Sequence, residues 1–144
     1  IDEYQIIEAK SIGADAILLI AAALEPQQLK SLAAFAKRLD LEVLMEVHNR
    51  EELENNLSEH LDIIGVNNRN LKTFETSLET SKGLAALIPN EFVKISESGI
   101  SDPESIKDLR TYGYKGFLIG ETFMKTARPE VTAKEFIDKL NKLG

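Results

Sequence analysis

Short apolar runs alternate with amphipathic helical patterns along the 144 residues of this chain. Each run is almost continuously apolar, which is typical of parallel strands that are buried on both faces. Strands joined through helices in this way pair in parallel, with right-handed crossover connections. The pattern therefore predicts an α/β fold with a first helix and then five strand–helix units, whose strands are Ala16–Ala21, Glu42–Val47, Asp62–Val66, Phe92–Ile95 and Gly116–Ile119.

The predicted helices have recognisable starting signals. A capping box pairs a short polar side chain with a glutamate three residues later, and proline is favoured in the first helical turn. Capping-box spacing predicts helix starts at Asn49, Thr76 and Ser101. Pro26 and Pro103 occupy positions that suit a first turn.

The order of the elements favours part of a (β/α)8 TIM barrel. A complete barrel takes about 200 residues or more, so the chain is expected to supply the fourth to eighth strands with their flanking helices. Residues 1–144 then form a single domain. An open doubly wound sheet is the alternative, and periodicity alone does not separate the two. Its first strand–helix turn is usually rich in glycine, whereas the turn here, Ala21–Pro26, contains none.

Composition argues against several classes of function. The net charge of −7 and the pI of about 4.9 disfavour a nucleic-acid surface, because phosphate contacts need clustered lysine and arginine. No apolar run approaches the roughly 20 residues that a membrane helix needs. The absence of cysteine excludes disulfides and thiolate metal sites and fits a reducing, cytoplasmic location. His48 and His60 lack the spacing of a metal-ligand pair, so no metal is expected.

Two small turns late in the chain predict a phosphate site. Ser98 and Gly99 follow the fourth predicted strand, and Gly120 and Glu121 follow the fifth. Backbone N–H groups exposed at such turns bind phosphate, particularly ahead of a helix. The last two strand–helix loops of a (β/α)8 barrel commonly hold a substrate phosphate. The turns therefore predict a phosphorylated small molecule as the ligand.

Polar side chains at the ends of the other strands are candidates for chemistry, because barrel enzymes place catalytic groups there. Glu46 lies inside an apolar run and suits a general base, or alternatively pairs with a cation. Glu97 ends an apolar strand, where a simple tight turn is the alternative. Asn67 and Arg69 offer hydrogen-bond donors at a pocket mouth, although asparagine also caps loops and arginine also forms surface ion pairs.

Five segments, in order, match one enzyme family: Ala14–Ala21, Leu44–His48, Ile64–Leu71, Ser96–Ile100 and Phe117–Glu121. Together they resemble indole-3-glycerol-phosphate synthase. The resemblance covers essentially the whole chain and is more specific than any single motif. It implies a (β/α)8 barrel in which this chain runs from the helix after the third strand to the carboxyl terminus.

The resemblance implies a decarboxylating lyase of tryptophan biosynthesis. That family closes the pyrrole ring of 1-(2-carboxyphenylamino)-1-deoxyribulose 5-phosphate with loss of CO₂ and water, and no metal or organic cofactor is implied. By the family's pattern, Glu46 is the expected general base that helps to complete dehydration. Asn67 is expected to hold substrate hydroxyls, and Glu97 to orient a cationic partner near the reacting centre.

The resemblance also implies the contacts to the rest of the substrate. Phosphate contacts are expected from Ser98, Gly99, Gly120 and Glu121, mostly through backbone amides, with the Glu121 carboxylate turned away from the anion. Arg69 is expected near the anthranilate end of the substrate.

The family further uses a lysine on the third strand as a proton donor, and this chain begins after that strand. Lys94 lies within a predicted strand, while Lys72 and Lys115 lie in loops. We therefore expect the isolated chain to have little or no activity. Unpaired sheet edges favour association, so a homodimer or pairing with the missing amino-terminal strands is also expected.

Two other functions stay open at this point. One is a different phosphate-binding barrel, such as phosphoribosylanthranilate isomerase, against which the strand contexts of Glu46 and Glu97 argue. The other is a non-catalytic half-barrel that binds phosphate at most.

Overall fold

A single parallel sheet of five strands organises residues 1–143, which are the residues that the computed structural model describes. Neighbours in the sheet are also consecutive strands in sequence, as in a barrel wall, whereas a doubly wound sheet reverses its strand order. The barrel-type arrangement is therefore confirmed. The strands are β1 (Ala16–Ile20), β2 (Glu42–Val47), β3 (Ile63–Asn67), β4 (Val93–Glu97) and β5 (Gly116–Leu118).

Helices precede the first strand and follow each strand. They are α1 (Glu3–Ser11), α2 (Pro26–Arg38), α3 (Arg50–Asn56), α4 (Glu79–Ala85), α5 (Pro103–Thr111), α6 (Glu121–Met124) and α7 (Pro129–Lys142), with a 3₁₀ turn at Ala21–Ala23. None of those in residues 1–143 combines the length and the apolar character needed to cross a membrane.

The two faces of the sheet differ in exposure. The face that packs against the helices carries five side chains that are completely buried: Val43, Met45, Val47, Ile64 and Val66. Burial of each such side chain contributes about 1.5–3 kcal/mol. On the other face, which we call the open face, Leu18, Val93 and Leu118 are 48%, 41% and 50% exposed.

The strand register places polar residues of three strands together on the open face. Glu46 pairs with Gly65, and Asn67 pairs with Glu97 on the next strand. Alternate residues of a strand share a face, so Gly65 and Asn67 point the same way and bring their partners with them. Glu46, Asn67 and Glu97 consequently lie on one side of the sheet.

The predicted strands are all present, with small shifts at their ends. β1 ends at Ile20 because Ala21–Ala23 forms the 3₁₀ turn. β4 extends to Glu97, so this carboxylate belongs to the strand and not to the turn after it.

One of the three predicted helix caps is correct. Asn49 Oδ1 accepts from Glu52 N at 2.9 Å and caps α3. Thr76 does not cap a helix, because it forms an antiparallel bridge with Arg69. Ser101 does not cap α5 either, because the next residue is the cap.

That next residue is Asp102, which caps α5 and accepts from Glu104 N at 3.1 Å. Pro103 fixes the first helical position, since its ring presets φ and needs no donor, and the cap must be the residue immediately before it. Pro26 likewise opens α2.

Candidate active site

Two buried carboxylates define the centre of the open face. Glu46, near the end of β2, is 8% exposed, and Glu97, at the end of β4, is 6% exposed. Burial and the nearby Glu46 carboxylate raise the pKa of Glu97 to about 8. A carboxyl group with such a pKa holds a proton at neutral pH unless a cation joins it.

No lysine or arginine in residues 1–143 forms an ion pair with either carboxylate. Oε1 of Glu97 is buried and has no hydrogen-bond partner in that part of the chain. Unsatisfied buried polar atoms are uncommon in folded proteins and often mark functional sites. The two carboxylates are therefore suited to bind a cation or a polar group of a substrate.

Asn67 lies beside this pair and also organises the loop that follows β3. Its Oδ1 accepts from Arg69 N at 2.9 Å. Asn67 therefore caps the loop, which is the alternative role that its residue type also allowed. The amide NH₂ group of Asn67 is the part of the side chain left to donate elsewhere.

The Arg69 guanidinium forms an ion pair with Glu121 Oε2 at 2.6 Å and donates to Phe74 O at 3.1 Å. The pair joins the loop after β3 to the start of α6. It also compensates the negative charge of Glu121 beside the predicted phosphate turns. The ion pair that was the alternative role for Arg69 in the sequence analysis is thus present.

The two predicted phosphate turns line one cleft of about 650 Å³ at the ends of β4 and β5. Within residues 1–143, Gly99 N and Gly120 N donate to no carbonyl group or side chain. Ser98 N, in contrast, donates to Leu118 O at 3.4 Å. Two glycine amides and the Ser98 hydroxyl can therefore face an anion here, and Lys125 lines the same cleft.

A buried polar cluster that sequence reasoning missed supports the Ser98 turn. Asn68 Nδ2 donates to Ser98 O at 3.1 Å and to Ser96 Oγ at 2.9 Å. Its Oδ1 accepts from Ser81 Oγ at 2.8 Å, and Tyr114 OH donates to Ser81 O at 2.6 Å. Ser98 has a φ of 67°, which is unusual for a residue with a side chain. The cluster fixes the carbonyl of this strained residue.

The signal for this cluster was present in the sequence, although it is weak. Asn68 and Ser96 are small polar residues near the ends of apolar runs, and Ser81 has helical spacing to Leu84 and Ala85 on the buried face of α4. An unpaired polar group is costly at such positions. Their pairing is tertiary, and spacing along the chain does not indicate which of them meet.

His48 is a second residue whose role sequence reasoning missed, since its spacing was considered only for metal binding. Its ring lies between Glu46 and Glu52. No group of three or more His, Cys, Asp or Glu residues suited to hold a metal ion occurs in the described part of the chain.

The lysines lie away from the open face or in loops. Lys94 occupies β4, but its Nζ donates to Ala85 O of α4 at 2.7 Å and so reaches toward the helices. Across residues 1–143, no lysine ends a strand. In residues 1–143 the site thus has carboxylates, amides and a cleft lined by the two predicted phosphate turns, with no lysine beside the carboxylates.

The fold places the chain in the class of (β/α)8-barrel proteins. Solved structures agree: the chain is similar to 3-hexulose-6-phosphate synthase from Salmonella typhimurium, with a TM-score of 0.77 and 14% identity over 97% of this chain and 68% of that chain. It is also similar to the tryptophan synthase alpha-subunit of Pyrococcus furiosus, with a TM-score of 0.74 and 18% identity over 97% of this chain and 60% of the other. At these identities the likeness establishes the fold.

Within that class, this chain belongs to the indole-3-glycerol phosphate synthase family, whose family model matches residues 1–136. The indole-3-glycerol phosphate synthase of Bacteroides thetaiotaomicron is 56% identical over 137 residues, which are 95% of this chain and 52% of the relative. That of Caldanaerobacter subterraneus is 49% identical over 140 residues, which are 97% of this chain and 54% of the relative. The chain therefore spans about half the length of the relatives that it matches.

Proposed function

We propose that this chain supplies the carboxyl-terminal five-eighths of an indole-3-glycerol phosphate synthase barrel. The reaction is the decarboxylating, dehydrating ring closure of 1-(2-carboxyphenylamino)-1-deoxyribulose 5-phosphate to indole-3-glycerol phosphate, a step of tryptophan biosynthesis. Membership of the synthase family supports this function over that of phosphoribosylanthranilate isomerase. The reactants are small, water-soluble molecules, which fits a cytoplasmic enzyme.

The observation that carries the proposal is the buried carboxylate pair at the ends of β2 and β4, with Asn67 beside it. In the proposed roles, Glu46 takes a proton from the substrate during dehydration, and Asn67 orients substrate hydroxyls. Glu97 orients a cation that protonates the ketone as the aromatic carbon attacks. The unpartnered Oε1 of Glu97 supports a role for a cation that residues 1–143 do not supply.

The cleft at the ends of β4 and β5 is the proposed phosphate site. Gly99 and Gly120 offer backbone amides that are otherwise unbonded, and Ser98 offers a hydroxyl. Arg69 and Glu121 border the same cleft as an ion pair, so the acidic side chain is held by the arginine and not directed at the anion. Arg69 thereby stays near the neighbouring cleft, at the proposed anthranilate end.

Turnover in a completed barrel tests the proposal. Residues 1–144 are joined behind the amino-terminal portion of the Bacteroides thetaiotaomicron relative, a protein that we call the fused barrel. We expect indole fluorescence to appear with the substrate, and Glu46→Gln to reduce kcat by about 100-fold, as for other general bases. The exposed Glu91→Gln serves as the matched control and should leave kcat unchanged.

The isolated chain is the second arm of this experiment. We propose that it makes no product, because the proton-donating lysine lies outside it. A folded fused barrel without turnover would contradict the proposed function, and turnover by the isolated chain would contradict the assignment of the proton donor.

A non-catalytic role for the piece alone remains the second candidate, and the absence of a strand-end lysine in residues 1–143 favours it. In that role the chain binds phosphate and associates through its sheet edges, with itself or with the strands that complete the barrel. Binding of inorganic phosphate without turnover, even in the fused barrel, would select this candidate.

A further inference from the structure

The imidazole ring of His48 bridges two carboxylates at the end of β2. Its Nε2 atom lies 3.3 Å from Glu46 Oε1, and its Nδ1 atom lies 3.1 Å from Glu52 Oε2. The side chains of His48 and Glu46 are each 10% exposed. A histidine with a carboxylate on each ring nitrogen, one of them a proposed general base, is the geometry of a proton relay.

The contacts of Glu52 fix which nitrogen of the ring carries hydrogen. Glu52 accepts at Oε1 from Asn49 Nδ2 at 2.7 Å and at Oε2 from His48 N at 2.8 Å. A carboxylate only accepts hydrogen bonds, so the Nδ1 atom of the ring must donate to it. In the neutral ring the other nitrogen, Nε2, is then an unprotonated acceptor that faces Glu46.

The Nε2 atom has no other use in the described structure. It is buried and makes no well-aligned hydrogen bond with any group in residues 1–143, although Glu46 Oε1 is close. Hydrogen bonds between catalytic groups are often long or poorly aligned before substrate binds and become shorter in the complex.

We propose that His48 serves Glu46 as a positioning and proton-accepting residue, held in the required tautomer by Glu52. The inference rests on the proposed function of Glu46 as the base. After Glu46 has taken a proton from the substrate, the O–H bond at Oε1 breaks and an N–H bond forms at His48 Nε2. Glu46 is again a carboxylate, the imidazolium keeps its Nδ1–H bond to Glu52, and the proton then leaves to solvent.

An open cleft lies beside His48. His48 lines a cleft of about 500 Å³ together with Asn49 and Glu52. The other charged groups lining that cleft, which set the electrostatic surroundings of the ring from the loop after β3, are Arg69, Lys72 and Glu75.

A purely structural role is the alternative, because Glu52 also contributes to the cap of α3. His48 N and Asn49 Nδ2 already bind Glu52, and the ring then only fills space. The two roles differ in what they predict for proton transfer. A structural ring affects folding and leaves the pH dependence of kcat in place, whereas a relay changes that dependence.

Kinetics of the fused barrel test the relay. His48→Gln retains a polar side chain that can still meet Glu52 but cannot carry a proton. We expect kcat to fall at least about tenfold with KM unchanged, the acid limb of the kcat profile to move, and added imidazole to restore part of the rate. The matched control is His60→Gln at the second histidine, which is partly exposed and lies away from Glu46, and it should change none of these. Unchanged kcat and pH profile in His48→Gln would overturn the relay.

Nitrogen NMR of the unmutated protein decides the tautomer without any reaction. The chain has two histidines, so the His60→Gln spectrum assigns the signals. We expect neutral His48 to carry hydrogen on Nδ1, and Glu52→Gln to weaken that preference; hydrogen fixed on Nε2 would overturn the relay. If the unmutated fused barrel makes no product, the proposed function fails, and this spectrum still determines whether Nε2 is free to accept a proton.

Discussion

Glu97 Oε1 lies so close to Gly65 that a β-carbon on that glycine would overlap it. Glycine weakens a strand interior, and here it stands in the middle of β3 between Ile64 and Val66. The backbone of Gly65 does not lie in the left-handed region, so conformational freedom is not the reason for glycine. The reason is space, because the missing side chain lets the carboxylate of one strand lie across the next.

Gly65→Ala should therefore displace Glu97 while leaving the fold in place. The overlapping atom is the end of a flexible side chain, which can rotate away. We expect kcat of the fused barrel to fall by about 100-fold, since misplacement of a catalytic group by about 1 Å has such an effect. Gly83→Ala is the matched control, because a β-carbon there meets nothing within 4 Å. Equal kcat in the two variants would contradict the role given to Gly65.

The raised pKa of Glu97 predicts that the stability of the fold depends on pH. The pKa of Glu97 in the folded chain is about 8, raised from an ordinary value of 4.5 by burial and by Glu46. Between these values the folded state binds more protons than the unfolded state, so the free energy of unfolding falls as pH rises. The contribution is fully present below the ordinary pKa and is lost as pH passes through about 8.

Urea unfolding of the chain at about pH 5 and about pH 9 measures this effect. We expect Glu97→Gln to reduce the loss of stability between the two conditions. Glu91→Gln, at an exposed position, should retain the full loss. If Glu97→Gln and the unmutated chain lose equal stability, Glu97 is not the group that titrates.

The sheet could be predicted from sequence because its signals are local. Each strand is a continuous apolar run, and the loops between them contain turn residues. The order of the strands and the barrel-type fold could be predicted from these two signals. Glu46, Asn67 and Glu97 could be chosen for the same reason, since the end of a strand is visible in sequence. The register that brings them to one face then follows from the alternation of side chains along a strand.

The parts that could not be predicted depend on contacts between distant residues. Asn68, Ser81 and Ser96 meet only when β3, β4 and α4 pack together. The cap predictions at Thr76 and Ser101 failed because a bridge to Arg69 and a proline at the first helical position competed with local spacing. Local patterns compete with tertiary structure at such points, and tertiary structure prevails.

Comparing Gly99→Ala with Gly13→Ala separates the effect of the predicted phosphate turn from the effect of backbone strain. Gly99 has a φ of +72°, and a β-carbon there would lie 3.0 Å from Thr76 Cβ. Gly13 has a φ of +90°, and a β-carbon there would meet nothing within 4 Å. Because φ is positive at both glycines, alanine at either position costs about 1 kcal/mol of backbone strain. We expect only Gly99→Ala to weaken binding of inorganic phosphate, by at least about tenfold in calorimetric titration of the fused barrel. Equal affinity in both variants would remove Gly99 from the phosphate site.

Asn68→Ala should reduce both stability and phosphate affinity, because one side chain supports the core and the Ser98 turn. Truncation leaves Ser81 N and Ser98 O without their partners, and we expect the free energy of unfolding to fall by about 2–4 kcal/mol. The Ser98 carbonyl is then free to move, and the amide of Gly99 moves with it. Asn90→Ala, at an exposed turn, should stay within about 0.5 kcal/mol of the unmutated chain. Urea unfolding and phosphate titration measure the two effects separately, and a loss of stability with phosphate affinity intact would confine Asn68 to the core.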